Sequence, residues 1–269
     1  MKQKTALWIL VIASICPSYS FAASIDLDFS NQIESNNTTD IYGLGPAYTG
    51  NTMTFLNVAS HDGTTVDAKV TASAFGSYTF DYHIPNYNTG DIGFIMNGTG
   101  HASGGLSYVF QLYNGTGSNS GSFNTPFAAE ELSIMVYDVD GEGSQSENLR
   151  AYTADGLISY QTGTNANSLV ASNEGSSVLF TGPRLNFSES DTTGAVILNY
   201  ANTSQFNLNF ESETFYGRLP NAVFSAIDGD LSMGTSGFAP SESVPDTGST
   251  AALLGVGVAA LAFARRRLG

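Results

Sequence analysis

The chain has 269 residues, with 24 acidic against nine basic side chains and a formal net charge of −15. Between Ala23 and Ser243 only Lys69, Arg150, Arg184 and Arg218 are basic, and every acid except Asp246 falls there, so this stretch carries 4 − 23 = −19. Such a surface repels nucleic acid and anionic lipid; it suits calcium, a cationic polymer, or plain solubility outside the cell.

The N-terminus reads as an export signal. Lys2 and Lys4 form a basic start, Ala6 to Ile15 an apolar core, and Ser20-Phe21-Ala22 a small-residue site for signal peptidase. Residues 1–22 are therefore expected to be a signal peptide, cut after Ala22. The one cysteine, Cys16, lies inside it, and Ile15 is too large for a lipidation site. The exported chain then has no disulfide, no thiol chemistry and no Cys-ligated metal.

Residues 23–234 are expected to form one domain, long enough for a single core. Ile25-Asp26-Leu27-Asp28-Phe29 alternates apolar and polar, as do stretches within 53–58, 66–74, 78–82 and 206–210. Residues 92–96, 106–113, 132–137, 178–180 and 196–200 are more continuously apolar and read as inner strands, and 222–227 closes the series. No long stretch has a helical period; Pro126 to Glu131 has room for one turn. Asn97-Gly98 and Asn114-Gly115 each follow an apolar run and are expected at tight hairpin turns. His61-Asp62-Gly63 also reads as a turn. The expected class is all-β: a two-sheet antiparallel sandwich, jelly-roll-like. A β-solenoid lacks the fixed short period it needs. Residues 235–243, with Gly, Ser and Pro, read as a linker.

The sharpest polar cluster follows the apolar run 132–136. In an extended chain Asp138, Asp140 and Glu142 point to one side, and like charges so placed repel unless a cation or solvent separates them. Gly141 and Gly143 let the chain fold round an ion and bring Glu147 within reach. Asp138, Asp140, Glu142 and Glu147 are thus the expected metal ligands, with calcium the cation that takes such oxygens; an acidic, solvent-exposed hairpin is the alternative. Asp228-Gly229-Asp230 follows its own strand in the same way and offers a second ion site, or faces the first. Asp26/Asp28 and Glu211/Glu213 read as the wet faces of outer strands. No catalytic set stands out: His61, His83 and His101 are scattered, and there is no H-E-x-x-H or G-x-S-x-G motif. Tyr78, Tyr82 and Tyr87 are either ordinary strand residues or a stacking platform for sugar.

The C-terminus has three parts in order. Val244-Pro245-Asp246-Thr247-Gly248 is a polar motif, Ala251 to Ala264 an apolar run, and Arg265, Arg266 and Arg267 a basic stop. As a helix the run spans roughly 21 Å, short of a hydrocarbon core of about 30 Å, with flanking residues and snorkelling arginines to extend it. The arginines are best left in the cytoplasm, which puts the body of the chain outside. This arrangement resembles the sorting tails of the PEP-CTERM class, and most closely its V-P-D-S-G variant, with Thr247 keeping the hydroxyl of the usual Ser. The L-P-x-T-G tails of sortase substrates share Pro245, Thr247 and Gly248. The PEP-CTERM resemblance covers residues 244–269 only. It implies a single transmembrane sorting helix, a transient membrane anchor, cleavage near the motif by an exosortase-type enzyme, and delivery to the cell surface or an extracellular matrix.

These features lead to an exported, non-catalytic surface or matrix protein, processed at its C-terminal signal and stabilised by calcium. The expected partners are signal peptidase, the exosortase-type enzyme and exopolysaccharide, with no nucleic acid. A calcium-dependent carbohydrate-binding module for exopolysaccharide is one alternative, and an extracellular polysaccharide hydrolase another.

Overall fold

The computed structural model describes residues 25–33, 37–40, 46–47, 51–87, 90–98, 103–115, 123–142, 145–188, 191–214, 223–232 and 234–244, with backbone alone for some strand ends. The expected signal peptide (1–22), the motif residues from Pro245 to Gly248, the apolar run and Arg265–Arg267 lie outside the described residues. Among the described residues no helix is long and apolar enough to cross a membrane.

In chain order the strands are β1 (Asn37–Asp40), β2 (Pro46–Ala47), β3 (Thr52–His61), β4 (Thr64–Gly76), β5 (Tyr78–Tyr87), β6 (Asp91–Gly98), β7 (Ser103–Gly115), β8 (Ala129–Tyr137) and β9 (Gly141–Glu142). They continue with β10 (Gln145–Tyr152), β11 (Leu157–Thr162), β12 (Val170–Asn173), β13 (Ser177–Thr181), β14 (Val196–Thr203), β15 (Gln205–Thr214), β16 (Val223–Asp228) and β17 (Glu242–Ser243). The helical content described is two single 3-10 turns, Thr153–Asp155 and Thr192–Gly194.

Two antiparallel sheets form a sandwich. Sheet I has the order β12-β13-β10-β15-β7-β4-β3, with β9 against the start of β10; sheet II has the order β17-β11-β14-β8-β16-β6-β5. The chain crosses between the sheets at most of its connections, so most neighbours in a sheet are distant in sequence.

Alternation builds the core. On β4 Val66, Ala68, Val70 and Ala72 are buried and face the other sheet, as do Leu106, Tyr108, Phe110 and Leu112 on β7. Sheet II answers with Leu132, Ile134 and Val136 of β8 and Val196, Leu198 and Tyr200 of β14. Aromatic rings lock the centre: Phe94 meets Phe210 at 4.1 Å, and Phe110 stacks on Phe206 at 4.7 Å.

The continuous apolar character of sheet II has a distinct cause. Its outer face is also covered. Ile95, Met135, Tyr137, Ala195, Ile197 and Ala226 form a second buried cluster, with Leu231 and Phe238 packed on it. A strand buried on both faces has no wet side on which to alternate.

Ile25–Phe29 closes one end of the sandwich in extended form. Leu27 N–H donates to the Gly229 carbonyl (2.8 Å), Phe29 N–H to Gly90 (2.9 Å), and Asp28 N–H to Val58 of sheet I (2.8 Å). Ile25, Leu27 and Phe29 are buried while Asp26 and Asp28 face water, the wet-face reading of that pair.

Three local expectations are corrected. Asn97-Gly98 and Asn114-Gly115 are not hairpin turns: each pair forms the last rungs of a ladder, opposite Tyr78-Thr79 and Thr65-Val66. A Cβ on Gly115 would stand 2.5 Å from the Thr65 hydroxyl, so this glycine serves close strand approach. The tight turn is instead Asp62-Gly63, with φ of +48° and +76°, joining β3 to β4. Pro126 to Glu131 is not helical: Pro126 bridges to Tyr113, and β8 starts at Ala129.

Candidate functional site

The acidic loop after β8 does not stay extended. Asp138 adopts a left-handed φ of +61° and Gly141 one of +88°, so successive side chains leave the common face that a straight strand would give them. A Cβ on Gly141 would meet the Gln145 carbonyl at 2.6 Å, which is why β9 can fold back on β10. Asp140 is buried and acts as an anchor. Its carboxylate accepts from the backbone N–H of Phe187 (2.6 Å) and of Gly141. Burial raises its pKa against the pull of these bonds.

Glu147 points into the sandwich, in step with Leu149 and Ala151 of β10. Gln145 Nε2 donates to its carboxylate at 2.8 Å, and the Asp140 N–H donates as well. Burial first, then the Asp140 and Asp138 charges, push its pKa up to about 8, so it is neutral at pH 7. The cross-strand neighbour Ser212 accepts from the Tyr78 hydroxyl at 2.8 Å. The structure thus brings Asp138, Asp140 and Glu147 into electrostatic contact, while the side chain of Glu142 lies outside the described residues.

The carboxylates that converge on one point are others. Asp91, Asp228 and Asp230 each offer an oxygen, all within 4.8 Å of one another, the one such group among the described residues. Two ligands of a single calcium, each 2.3–2.6 Å from it, stand at most about 5 Å apart. Asp91 opens β6 and Asp228 ends β16, adjacent strands of sheet II; both are buried, and Asp230 is exposed.

Local chemistry holds the three in place. Asp230 N–H donates to Asp228 Oδ1 (3.1 Å), Ser232 N–H to Asp230 Oδ1 (2.9 Å), and Ser232 Oγ contacts Asp228 Oδ2 (3.4 Å). Gly229 fits because a Cβ there would stand 2.4 Å from the Leu27 carbonyl oxygen. From β8, the Tyr137 hydroxyl donates to Asp91 Oδ2 at 2.7 Å. The rung it crosses carries only Ala226 and Gly93, which leaves room for the ring. Burial, then Asp228 and Asp230, drive the Asp91 pKa up to about 7 against that bond. An added proton or a hard cation relieves this repulsion.

The two acidic groups do not meet. Ser225 Oγ donates to the Asp138 carbonyl near the start of β16, whereas Asp228 is the last residue of that strand, opposite Met135. Three positions along a strand is roughly 10 Å.

Asp91 was missed in the sequence because it stands alone before an apolar run; the signal that could have found it was the acid at the head of an inner strand. The remaining candidates are occupied otherwise. Tyr78 is buried and unavailable as a sugar platform, and the side chains of Tyr82 and Tyr87 lie outside the described residues. His61 packs on Phe127 at 6.2 Å and contacts Asp62 at 3.7 Å. The His83 side chain and His101 lie outside the described residues.

The junction with the tail is part of the fold. Residues 235–243, read as a linker, run along the edge of sheet II. Thr164 N–H donates to Gly237 (2.8 Å), Ala239 N–H to Thr162 (2.8 Å), and Val244 N–H to Ile158 (2.9 Å). Ser243 pairs with Ser159 and Glu242 with Tyr160, whose hydroxyl donates to Glu242 Oε2 at 2.8 Å. Val244, 9% exposed, belongs to the main core.

A family model described as the VPDSG-CTERM motif matches residues 243–268. The chain carries a VPDSG-CTERM sorting tail. The match covers the polar motif, the apolar run and the arginines, and leaves the sandwich unassigned. The VPDSG-CTERM tail marks an exported protein and implies processing by an exosortase-type enzyme. No curated protein sequence matches the chain. Among solved structures, the N-terminal domain of the adhesin Sgo0707 of Streptococcus gordonii is similar, with 10% sequence identity and a TM-score of 0.44. The similarity covers 65% of this chain and 47% of that one, so the chain spans about half of the adhesin structure.

Proposed function

We propose that this is a non-catalytic protein of the cell surface or extracellular matrix: a β-sandwich exported by an N-terminal signal, anchored transiently by its tail, and released or attached when that tail is cut. The observation that carries the reading is the sorting tail at residues 243–268, joined directly to an all-β body. The body's buried acids support it from the other side, since Asp140 and Glu147 are engaged in holding backbone and β10. The test compares the mass of the chain in cells with and without the exosortase-type enzyme. Loss of the tail only where the enzyme is present is expected; an intact tail in both would sink the processing reading.

A second reading concerns calcium, and one observation favours it: the three carboxylate oxygens of Asp91, Asp228 and Asp230 within 4.8 Å of each other, two of them on buried residues. The charged neighbours that raise the Asp91 pKa are both aspartates, so the group supplies its own repulsion. In this reading calcium stabilises the closed end of the sandwich and takes no part in a reaction. A melting curve with calcium and with chelator tests it; an unchanged midpoint removes calcium from the proposal.

A further inference from the structure

The folded body and the V-P-D-T-G motif overlap by one residue. Val244 is the first residue of the V-P-D-T-G motif and also a member of the main hydrophobic core. Its N–H is bonded to Ile158 on β11, and the chain before it is bonded or paired at Gly237, Phe238, Ala239, Glu242 and Ser243. The segment grips both faces of sheet II at once: Phe238 packs on the outer cluster, while Val244 enters the inner one.

Reach matters as much as burial. Six residues, Pro245 to Thr250, separate Val244 from the apolar run. Fully extended, they and the joining bonds cover roughly 25 Å. With the run in a bilayer and the segment docked, the edge of sheet II is held at most that far from the hydrocarbon. Freeing residues 235–244 adds roughly 35 Å more.

We infer that β17 and Val244 form a latch. With the segment docked, the Val244 side chain is turned into the sandwich and the motif cannot be read from its first residue. The exosortase-type enzyme then acts on the form in which Gly237–Val244 has peeled from β11. Processing is set by how firmly this edge is held, and tail removal is coupled to a local opening of the domain. The inference rests on the reading of the tail as a processing signal.

A lock tests it. Ser159 and Ser243 are register partners. They form a non-hydrogen-bonded pair, because the neighbouring pair Ile158–Val244 carries the hydrogen bond. Such pairs have the closest side chains, within the range a disulfide spans. The full chain with Ser159→Cys and Ser243→Cys is expressed in cells that carry the enzyme. Unprocessed precursor should accumulate in the oxidised form and be cut after reductant is added, while each single variant is cut normally. Conversely, Tyr160→Phe removes the bond to Glu242 and should speed processing two- to fivefold, the factor that one partly exposed hydrogen bond represents. Hydrogen exchange supplies a readout free of the enzyme: the Val244 amide should be protected in the full chain and less so in Tyr160→Phe. Cleavage of the oxidised pair at the wild-type rate, or an unprotected Val244 amide, overturns the latch. A wild-type chain that is never cut fails earlier: it removes the tail reading, and the latch with it.

Discussion

Replacing Glu147 by Gln should flatten the dependence of stability on pH. The wild-type carboxyl has its pKa raised from 4.5 to about 8 in the folded chain, through burial and through Asp140 and Asp138. Below pH 4.5 it is protonated whether folded or not, and its contribution to stability is fully present. Between pH 4.5 and about 8 the unfolded chain gives up the proton and the folded chain keeps it, so stability falls by about 1.4 kcal/mol per pH unit. Over the window the loss is on the order of 5 kcal/mol, a large share of the 5–15 kcal/mol typical of a domain. Glutamine keeps the shape and a carbonyl oxygen to accept from Gln145, but has no proton to lose. Near pH 4.5 the two proteins should differ by less than about 1 kcal/mol; at pH 9 the variant should be more stable by a few kcal/mol. Urea unfolding of the tail-free chain ending at Val244, followed by tyrosine fluorescence at constant ionic strength, gives both curves. Asp91 and Asp140 also titrate with raised pKa values but are common to both proteins, so the difference curve reports Glu147. A difference that stays flat from pH 5 to 9 would refute the placement of a neutral glutamic acid inside the sandwich.

Other expectations concern the two ends of the molecule. Val244→Ala should cost about 1–2 kcal/mol in urea unfolding, the worth of two buried methyl groups; no loss would mean that the edge segment is not seated. Gly229→Ala forces a Cβ to 2.4 Å from the Leu27 carbonyl and should destabilise by several kcal/mol, read as a drop in melting temperature. Tyr137→Phe leaves buried Asp91 without its hydroxyl donor and should cost about 1–3 kcal/mol above pH 7. Calcium at a hundredfold excess over its Kd should stabilise by about 2.7 kcal/mol, a rise of roughly 5–10 °C for a domain of this size. Asp228→Asn with Asp230→Asn should abolish that rise, while Asp138→Ala with Asp140→Ala should leave it; the reverse pattern would return the ion to the loop after β8.

The strands were legible because their residues obey a period of two wherever one face is wet, as on β4. Sheet II was readable only as something inner. Its run 132–137 hides the outer cover supplied by Leu231 and Phe238, which lie nearly a hundred residues away. The Asn-Gly pairs misled because a turn signal is local, while the ladder partners of Asn97 and Asn114 are set by cross-strand packing. The acidic loop was visible as a cluster, but its geometry was not: a left-handed residue at Asp138 redirects everything after it. Asp91 joins Asp228 only through the pairing of β6 with β16, which no spacing in the sequence announces. Residues 235–243 have the composition of a linker, yet Phe238 within them and Val244 just after them are two apolar anchors.

The short strand β17 also bears on how the protein behaves in a crowd. A bare sheet edge offers its unpaired N–H and C=O groups to any neighbouring chain, and short, charged edge strands are the usual guard against such self-association. Here the guard is two residues long, carries Glu242, and lies just ahead of the V-P-D-T-G residues. A chain cut within that motif therefore keeps its edge covered, whereas one ending before Gly237 should stick to its own kind and sediment as larger species.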